Sequence, residues 1–262
     1  MSENKFDVNF KIDVPEQIAD AVATPTKELL DSPAKSIGEG FGNLFKCIFN
    51  PFKYLSEKQE IKYASKLNQY QQELQEKINK IPEDKLCEPN LQTAATAIEN
   101  SKYCIESDEL RAMFVNLISK TANYDTKDIV HPGFSEIIKQ MTSLEAEILT
   151  QFKSTYQLPI VEYHSDSSEK GYTVFRTNVF LYKPEHTVNN IEPIASSLSN
   201  LNRLGLIELN YLEFIVNEKS YTKYYEILDN LKKLTLCDYT LQKGIAKITP
   251  FGQQFIKICI SD

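Results

Sequence analysis

This chain has no surplus of basic charge, no paired cysteines and no long apolar run, and each absence removes a class of function. Lysine and arginine number 29 against 36 acidic residues, a net charge of -7. General binders of nucleic acid or of anionic membranes carry the opposite sign. The five cysteines, Cys47, Cys87, Cys104, Cys237 and Cys259, are odd in number and form no CxxC pair. Neither a disulfide framework nor a zinc site is expected from them, and reduced thiols in a cytosol are. No stretch reaches the ~18 uninterrupted apolar residues of a membrane span. The opening MSENKFDVNFKIDV has no signal-peptide core. Cytoplasmic residence is the expectation.

Catalytic signatures are missing as well. His131, His164 and His186 lie far apart and none belongs to an HExxH pattern, and there is no GxSxG. His131, before Pro132, reads as a residue that starts a helix. SIGEGFG echoes a glycine-rich phosphate loop, but no strand precedes it and the lysine of a P-loop is absent. Glu106, Asp108, Glu109 and Arg111 gather around the start of a helix, where the helix dipole favours acidic side chains. These readings predict a chain that is not an enzyme, with no catalytic residue, metal, cofactor or small-molecule substrate.

What is present suits a globular fold. Hydrophobic residues make up 42% and charged residues 25% of 262 positions, enough for one large domain or two small ones. Residues 1–14 read as a loose arm, and PEQIADAVA from Pro15 as a short helix. Ser32 and Pro33 make a helix start, after which Ile37, Phe41, Leu44, Phe45, Ile48, Phe52 and Leu55 fall on one helical face. Gly38, Gly40 and Gly42 interrupt that helix at a cost of about 1 kcal/mol each. The stretch is therefore either closely packed or only conditionally helical.

A long polar helix over 56–81 follows, with Tyr63, Leu67, Tyr70, Leu74, Ile78 and Ile81 in a narrow stripe before Pro82. Asn90, Ser107, the His131–Pro132 pair and a Thr142/Glu145 capping box then start four short amphipathic helices over 90–156. The pattern changes at Leu158. PIVEYHS and YTVFRTNVFLY read as a hairpin around DSSEKG, followed by a helix over 188–204 that ends at Gly205. Another helix from Tyr221, a strand pair over LTLCDYT and KGIAKIT, and a last helix over TPFGQQFIKICI complete the chain. The fold class expected is mainly α: a helical domain over 15–157 with a multi-helix bundle, then an α+β winged-helix-like domain over 158–262.

DELRAMFVNLISKTAN, HPGFSEIIKQMTSLEAEIL, NLNRLGLIEL and KGIAKITPFGQQFIKICI, with the amphipathic SIGEGFGNLFKCIFNPFKYLSEKQEIKYASKLNQ, make the chain resemble the bacterial abortive-infection alpha family across roughly residues 33 to 260. The resemblance implies a role in defence against phage. It carries over no catalytic residue, because the shared motifs are packing motifs.

Two surfaces compete as functional candidates. Phe41, Phe45, Phe49 and Phe52 with Lys46 and Lys53 suit a helix that meets a membrane surface or a protein partner, and equally one that packs on the bundle. Asn200, Asn202 and Arg203 are the polar readers of a winged-helix-like DNA-binding alternative. Residues 187–262 hold eight basic and eight acidic residues. That balance favours a protein partner or self-association over nucleic acid. The expected activity is non-enzymatic, through protein contacts or membrane disturbance by residues 33–55, in the cytoplasm or peripheral to the inner membrane.

Overall fold

The computed structural model describes residues 33–49, 57–167, 171–187, 190–235 and 237–261. The arm expected over 1–14, the helix from Pro15, and Phe52 and Lys53 lie outside them.

The helical part opens with α1 (Pro33–Phe49), starting at the expected proline, and α2 (Glu57–Asn79). The next four helices are α3 (Leu91–Ser101), α4 (Asp108–Thr121), α5 (Phe134–Lys139) and α6 (Ser143–Thr150). Their boundaries follow local chemistry. The Asn90 side chain accepts the Thr93 N–H at 3.1 Å, and the Ser107 hydroxyl accepts the Leu110 N–H at 3.2 Å. At α6 the Thr142 hydroxyl accepts the Glu145 N–H at 3.3 Å while the Glu145 carboxylate accepts the Thr142 N–H at 2.5 Å. Each cap contributes about 1 kcal/mol by satisfying N–H groups that a helix start leaves unpaired. α5 starts at Phe134 with Gly133 as its cap, and ahead of it His131 Nδ1 accepts the Gly133 N–H at 3.0 Å.

α4 is the centre of the bundle. It buries Leu110, Met113, Phe114, Leu117 and Ile118 and packs against α2, α3, α5 and α6.

The remaining chain forms one four-stranded antiparallel sheet and its flanking helices. The strands are β1 (Gln157–Ser167), β2 (Gly171–Val179), β3 (Ile207–Asn210) and β4 (Tyr239–Ile248), in the order β2-β1-β4-β3. The expected β1–β2 hairpin is present. It reaches further into DSSEKG than the turn residues suggest, with Ser167 opposite Gly171. Helix α7 (Glu192–Arg203) ends at Gly205, whose φ of 74 is a left-handed conformation that glycine adopts without steric cost. α8 (Thr222–Thr235) separates β3 from β4 in sequence.

Two expectations are corrected here. In place of a strand pair over LTLCDYT and KGIAKIT, Leu234 and Thr235 close α8 and the single strand β4 runs from Tyr239 straight through Gly244. A β-carbon on it would lie 2.5 Å from Cδ1 of Tyr211, so its smallness admits an aromatic ring against the strand. The last helix is also not uniform. α9 (Pro250–Phe255) gives way to a π-helical turn over Ile256–Ile260, closed by the Ser261 N–H on the Ile256 carbonyl at 2.8 Å.

That turn seats on α4. Asn116 Nδ2 donates to the Cys259 carbonyl at 3.0 Å, and Lys120 Nζ donates to the Lys257 and Ser261 carbonyls at 2.7 and 2.6 Å. A single hydrophobic core therefore runs from Phe41 to Cys259, on both sides of residue 157. The architecture is mainly α with an antiparallel sheet.

Candidate functional site

The phenylalanine face of α1 turns inward. Phe41, Phe45 and Phe49 recur every four residues, which places them on one side of the helix, and all three are buried. Phe45 stacks on Phe49 at 5.4 Å between ring centres and meets Tyr70 of α2 edge-on at 4.8 Å. Phe49 lies 6.3 Å from Tyr63. Of the two uses that their spacing left open, packing on the bundle or meeting a membrane or partner, this fold has them in the core. Lys46 lies within α1.

Phe41, with Ile37 and Leu44, also borders a cavity of about 960 Å³. Ser36, Gly40 and Cys47 line it from α1, Asn90 and Leu91 from the start of α3, and Lys127, Asp128 and Val130 from the loop before α5. Its polar groups are mixed in sign, and Lys127 Nζ lies 4.7 Å from the centre of the Tyr124 ring.

Two of the three nucleic-acid candidates on α7 are engaged within the fold. Asn200 Nδ2 donates to Glu145 Oε1 at 2.8 Å and to the Gln140 carbonyl at 3.1 Å. Exposed Arg203 bonds Asn200 Oδ1 at 2.7 Å and Gln140 Oε1 at 3.1 Å. Asn202 is exposed. α7 thus directs Asn200 and Arg203 to the junction of α5 and α6.

The acidic cluster at the start of α4 is likewise a structural joint. The Arg111 side chain, 3% exposed, bonds Glu73 through Nε at 2.9 Å and Nη2 at 3.1 Å. Its Nη1 reaches Asp108 at 2.7 Å and the Ile105 carbonyl at 3.1 Å. Lys66 adds a bond to Asp108 at 2.8 Å, and with Arg111 it holds the Asp108 carboxyl below the usual range. α2 and α4 are thereby clamped together.

The histidines stay apart. His131 is wedged between Phe134 and Phe251 at 5.6 and 5.3 Å. The His186 ring, whose burial lowers its pKa, accepts the Lys183 N–H at 3.2 Å. His164 is buried on β1, 3.1 Å from Glu162 Oε2 and stacked on Tyr172 at 3.9 Å. Sequence reading missed this pair, although residues two apart in a strand share a face and EYH was readable as such. Among the described residues no group of three or more His, Cys, Asp or Glu is arranged to hold a metal ion. Burial raises the pKa of the Cys104 and Cys259 thiols.

Sequence reading also passed over the loop between β3 and α8, YLEFIVN. Leu212 is 95% exposed, Val216 87% and Phe214 52%. Phe214 sits on a charged and aromatic base: Lys243 Nζ lies 5.2 Å from its ring centre and 5.4 Å from that of Tyr221, and pairs with Glu218 at 2.7 Å. Glu213 pairs with Lys247 at 2.5 Å. The loop backbone is thus anchored while alternate apolar side chains project outward.

Comparison with known proteins places the chain. The family model described as "Abortive infection alpha" matches residues 62–259. The chain belongs to the abortive infection alpha family. The match runs from α2 through the π-helical turn, so it includes the Arg111 clamp and the 211–217 loop and leaves α1 outside. No curated protein matches this abortive-infection chain. Among solved structures it has a slight likeness to an uncharacterized protein from the hydrocarbon-degrading marine bacterium Alcanivorax borkumensis SK2. That likeness has 15% identity over 53% of this chain and 96% of the other, with a TM-score of 0.30, and carries no weight for fold or function. Among the described residues no helix is long and apolar enough to cross a membrane.

Proposed function

We propose that this abortive-infection protein acts in phage defence without catalysis, by contact with a protein partner, through the apolar loop at 211–217. The observation that carries the reading is the display of Leu212, Phe214 and Val216 on a loop pinned by the Glu213–Lys247 and Glu218–Lys243 pairs. Contact surfaces draw most of their affinity from a few such apolar anchors, aromatic ones above all. The polar clusters elsewhere, around Arg111, Asn200 and His186, join elements of the fold to one another. Winged-helix character belongs to the same proposal, as a protein-contact module built on α7, Gly205 and β3.

Use of α7 on DNA requires Asn200 and Arg203 to leave Glu145 and Gln140. Membrane disturbance by residues 33–55 requires α1 to leave α2. The loop needs neither rearrangement, which is why it is preferred.

A plaque assay with Phe214→Glu and Leu212→Ser tests the reading. Both variants should fold normally, because the side chains they alter are exposed, and should lose protection by tenfold or more. Full protection by the doubly substituted chain removes the loop from the mechanism. Salt-sensitive DNA binding abolished by Arg203→Ala replaces contact with a protein by contact with nucleic acid.

A further inference from the structure

The exposed residues Leu212, Phe214 and Val216 are spaced evenly about Phe214, and the backbone that carries them is held from within the fold. The Leu212 N–H donates to Asn210 Oδ1 at 2.8 Å and the Ile215 N–H to the Tyr221 hydroxyl at 3.0 Å, while Gln242 Nε2 donates to the Tyr211 carbonyl at 3.0 Å. Little ordering of the loop is therefore left for a partner to impose. The charges of the loop are matched in place. Residues 211–218 carry two, Glu213 and Glu218, and each has a lysine of β4 against it, Lys247 and Lys243. A surface that selects an unlike partner by charge keeps charges free to meet that partner. Here both are engaged inside the chain.

Two copies of a chain of net charge -7 repel one another on average. A two-fold contact also sets each charge near its axis against its own copy, so it needs a patch whose charges already cancel. The 211–218 segment is such a patch, and the order of its apolar residues fits the same symmetry. An axis through Phe214 sets this ring on its own copy and Leu212 opposite Val216 on both flanks, an aromatic pair between two aliphatic ones. We infer that the partner met by this loop is a second copy of the chain, joined across a two-fold axis at Phe214. The dimer rests on the reading that the loop is the contact surface, and it names what the loop contacts. The three side chains offer on the order of 400 Å², about half of the ~800 Å² per partner in a standard stable interface. The dimer is accordingly weak, with a dissociation constant on the order of micromolar, and its population rises with concentration.

Sedimentation equilibrium of the full chain between about 1 and 500 µM reads this association. The mass should climb from that of one chain to that of two. Phe214→Glu should weaken association at least tenfold, because it sets two carboxylates together at the axis. Leu212→Ser and Val216→Ser should weaken it by smaller factors similar to each other, since each residue faces the other. Tyr103→Ser, at a side chain 74% exposed outside the loop, should leave it unchanged. An equimolar mixture of Phe214→Glu and Phe214→Lys chains should associate more tightly than either variant alone, which follows only where the residue meets its own copy. One chain mass at every concentration overturns the dimer. So does a dimer that Phe214→Glu leaves intact, or a mixture no tighter than its components. If the wild type stays a single chain while Phe214→Glu loses protection in plaque assays, the loop meets a different protein: the dimer falls and the contact reading stands. If Phe214→Glu abolishes the dimer without loss of protection, the dimer stands and the contact reading falls.

Discussion

The first and last described helices of this protein are attached in opposite ways. α9 and its π-helical turn are bonded to the bundle: Asn116 and Lys120 of α4 donate to the carbonyls of Lys257, Cys259 and Ser261, and Gln254 donates to the Ile129 carbonyl at 2.6 Å. α1 packs on α2 through a column of aromatic rings and rests against α3 as well. Apolar contact is non-directional and tolerates sliding and separation, while buried donor–acceptor pairs carry a penalty when broken and fix one geometry. One helix is thus fixed by hydrogen bonds, and the other is seated by apolar packing in the same core.

The sharpest way to break that comparison is to cut one ring from each. Phe255→Ala should lower global stability by about 3–5 kcal/mol, because the ring is fully buried against Phe134 and its loss leaves a cavity. Phe45→Ala should lower it by less in chemical denaturation, to the extent that α1 opens locally before the rest of the chain unfolds. Equal costs at the two sites would make both helices integral. Arg111→Ala should cost about 1–2 kcal/mol through the lost hydrogen bonds of the buried guanidinium, since Glu73 and Asp108 are open enough to be hydrated in its place. Its effect should fall on the α2–α4 seam and spare α9. Lys120→Met, read from the exchange of residues 256–260, should cost about 1 kcal/mol by leaving the π-turn carbonyls short of a donor.

Acid should have the smallest effect. The carboxyls of Asp108, Glu136 and Glu147 sit below their usual range, first because of hydrogen bonds from Lys66, Lys139 and Lys183. The unfolded chain therefore binds protons more readily than the folded one. Their contribution is complete above the ordinary carboxylate pKa of about 4 and is lost as pH falls through the depressed folded values. Thermal melts between pH 6 and pH 3, for wild type beside Lys66→Met and Lys183→Met, measure it. The variants should show the shallower decline.

Helix starts were legible in the sequence because their causes are local: a side chain at Asn90, Ser107 or Thr142 meets an N–H three residues on. Features decided by distant partners were not. Nothing in the sequence sets Tyr211 against Gly244, and nothing in KICI announces a π turn whose carbonyls are met by donors on α4. The phenylalanines of α1 were legible as a face. Its direction was not, because the same spacing serves a membrane, a partner or a core. The 211–217 loop went unnoticed because its alternating apolar residues mimic a strand, and only the fold shows them unpaired and exposed.

The seat on α4 for the π-helical turn has a consequence during synthesis. Asn116 leaves the ribosome 143 residues before Cys259, the residue whose carbonyl it holds. At roughly 5–20 residues per second, translation leaves that seat empty for about 7 to 30 seconds. The nascent bundle cannot complete its core in that interval, so a chain whose translation stops early never seats this turn.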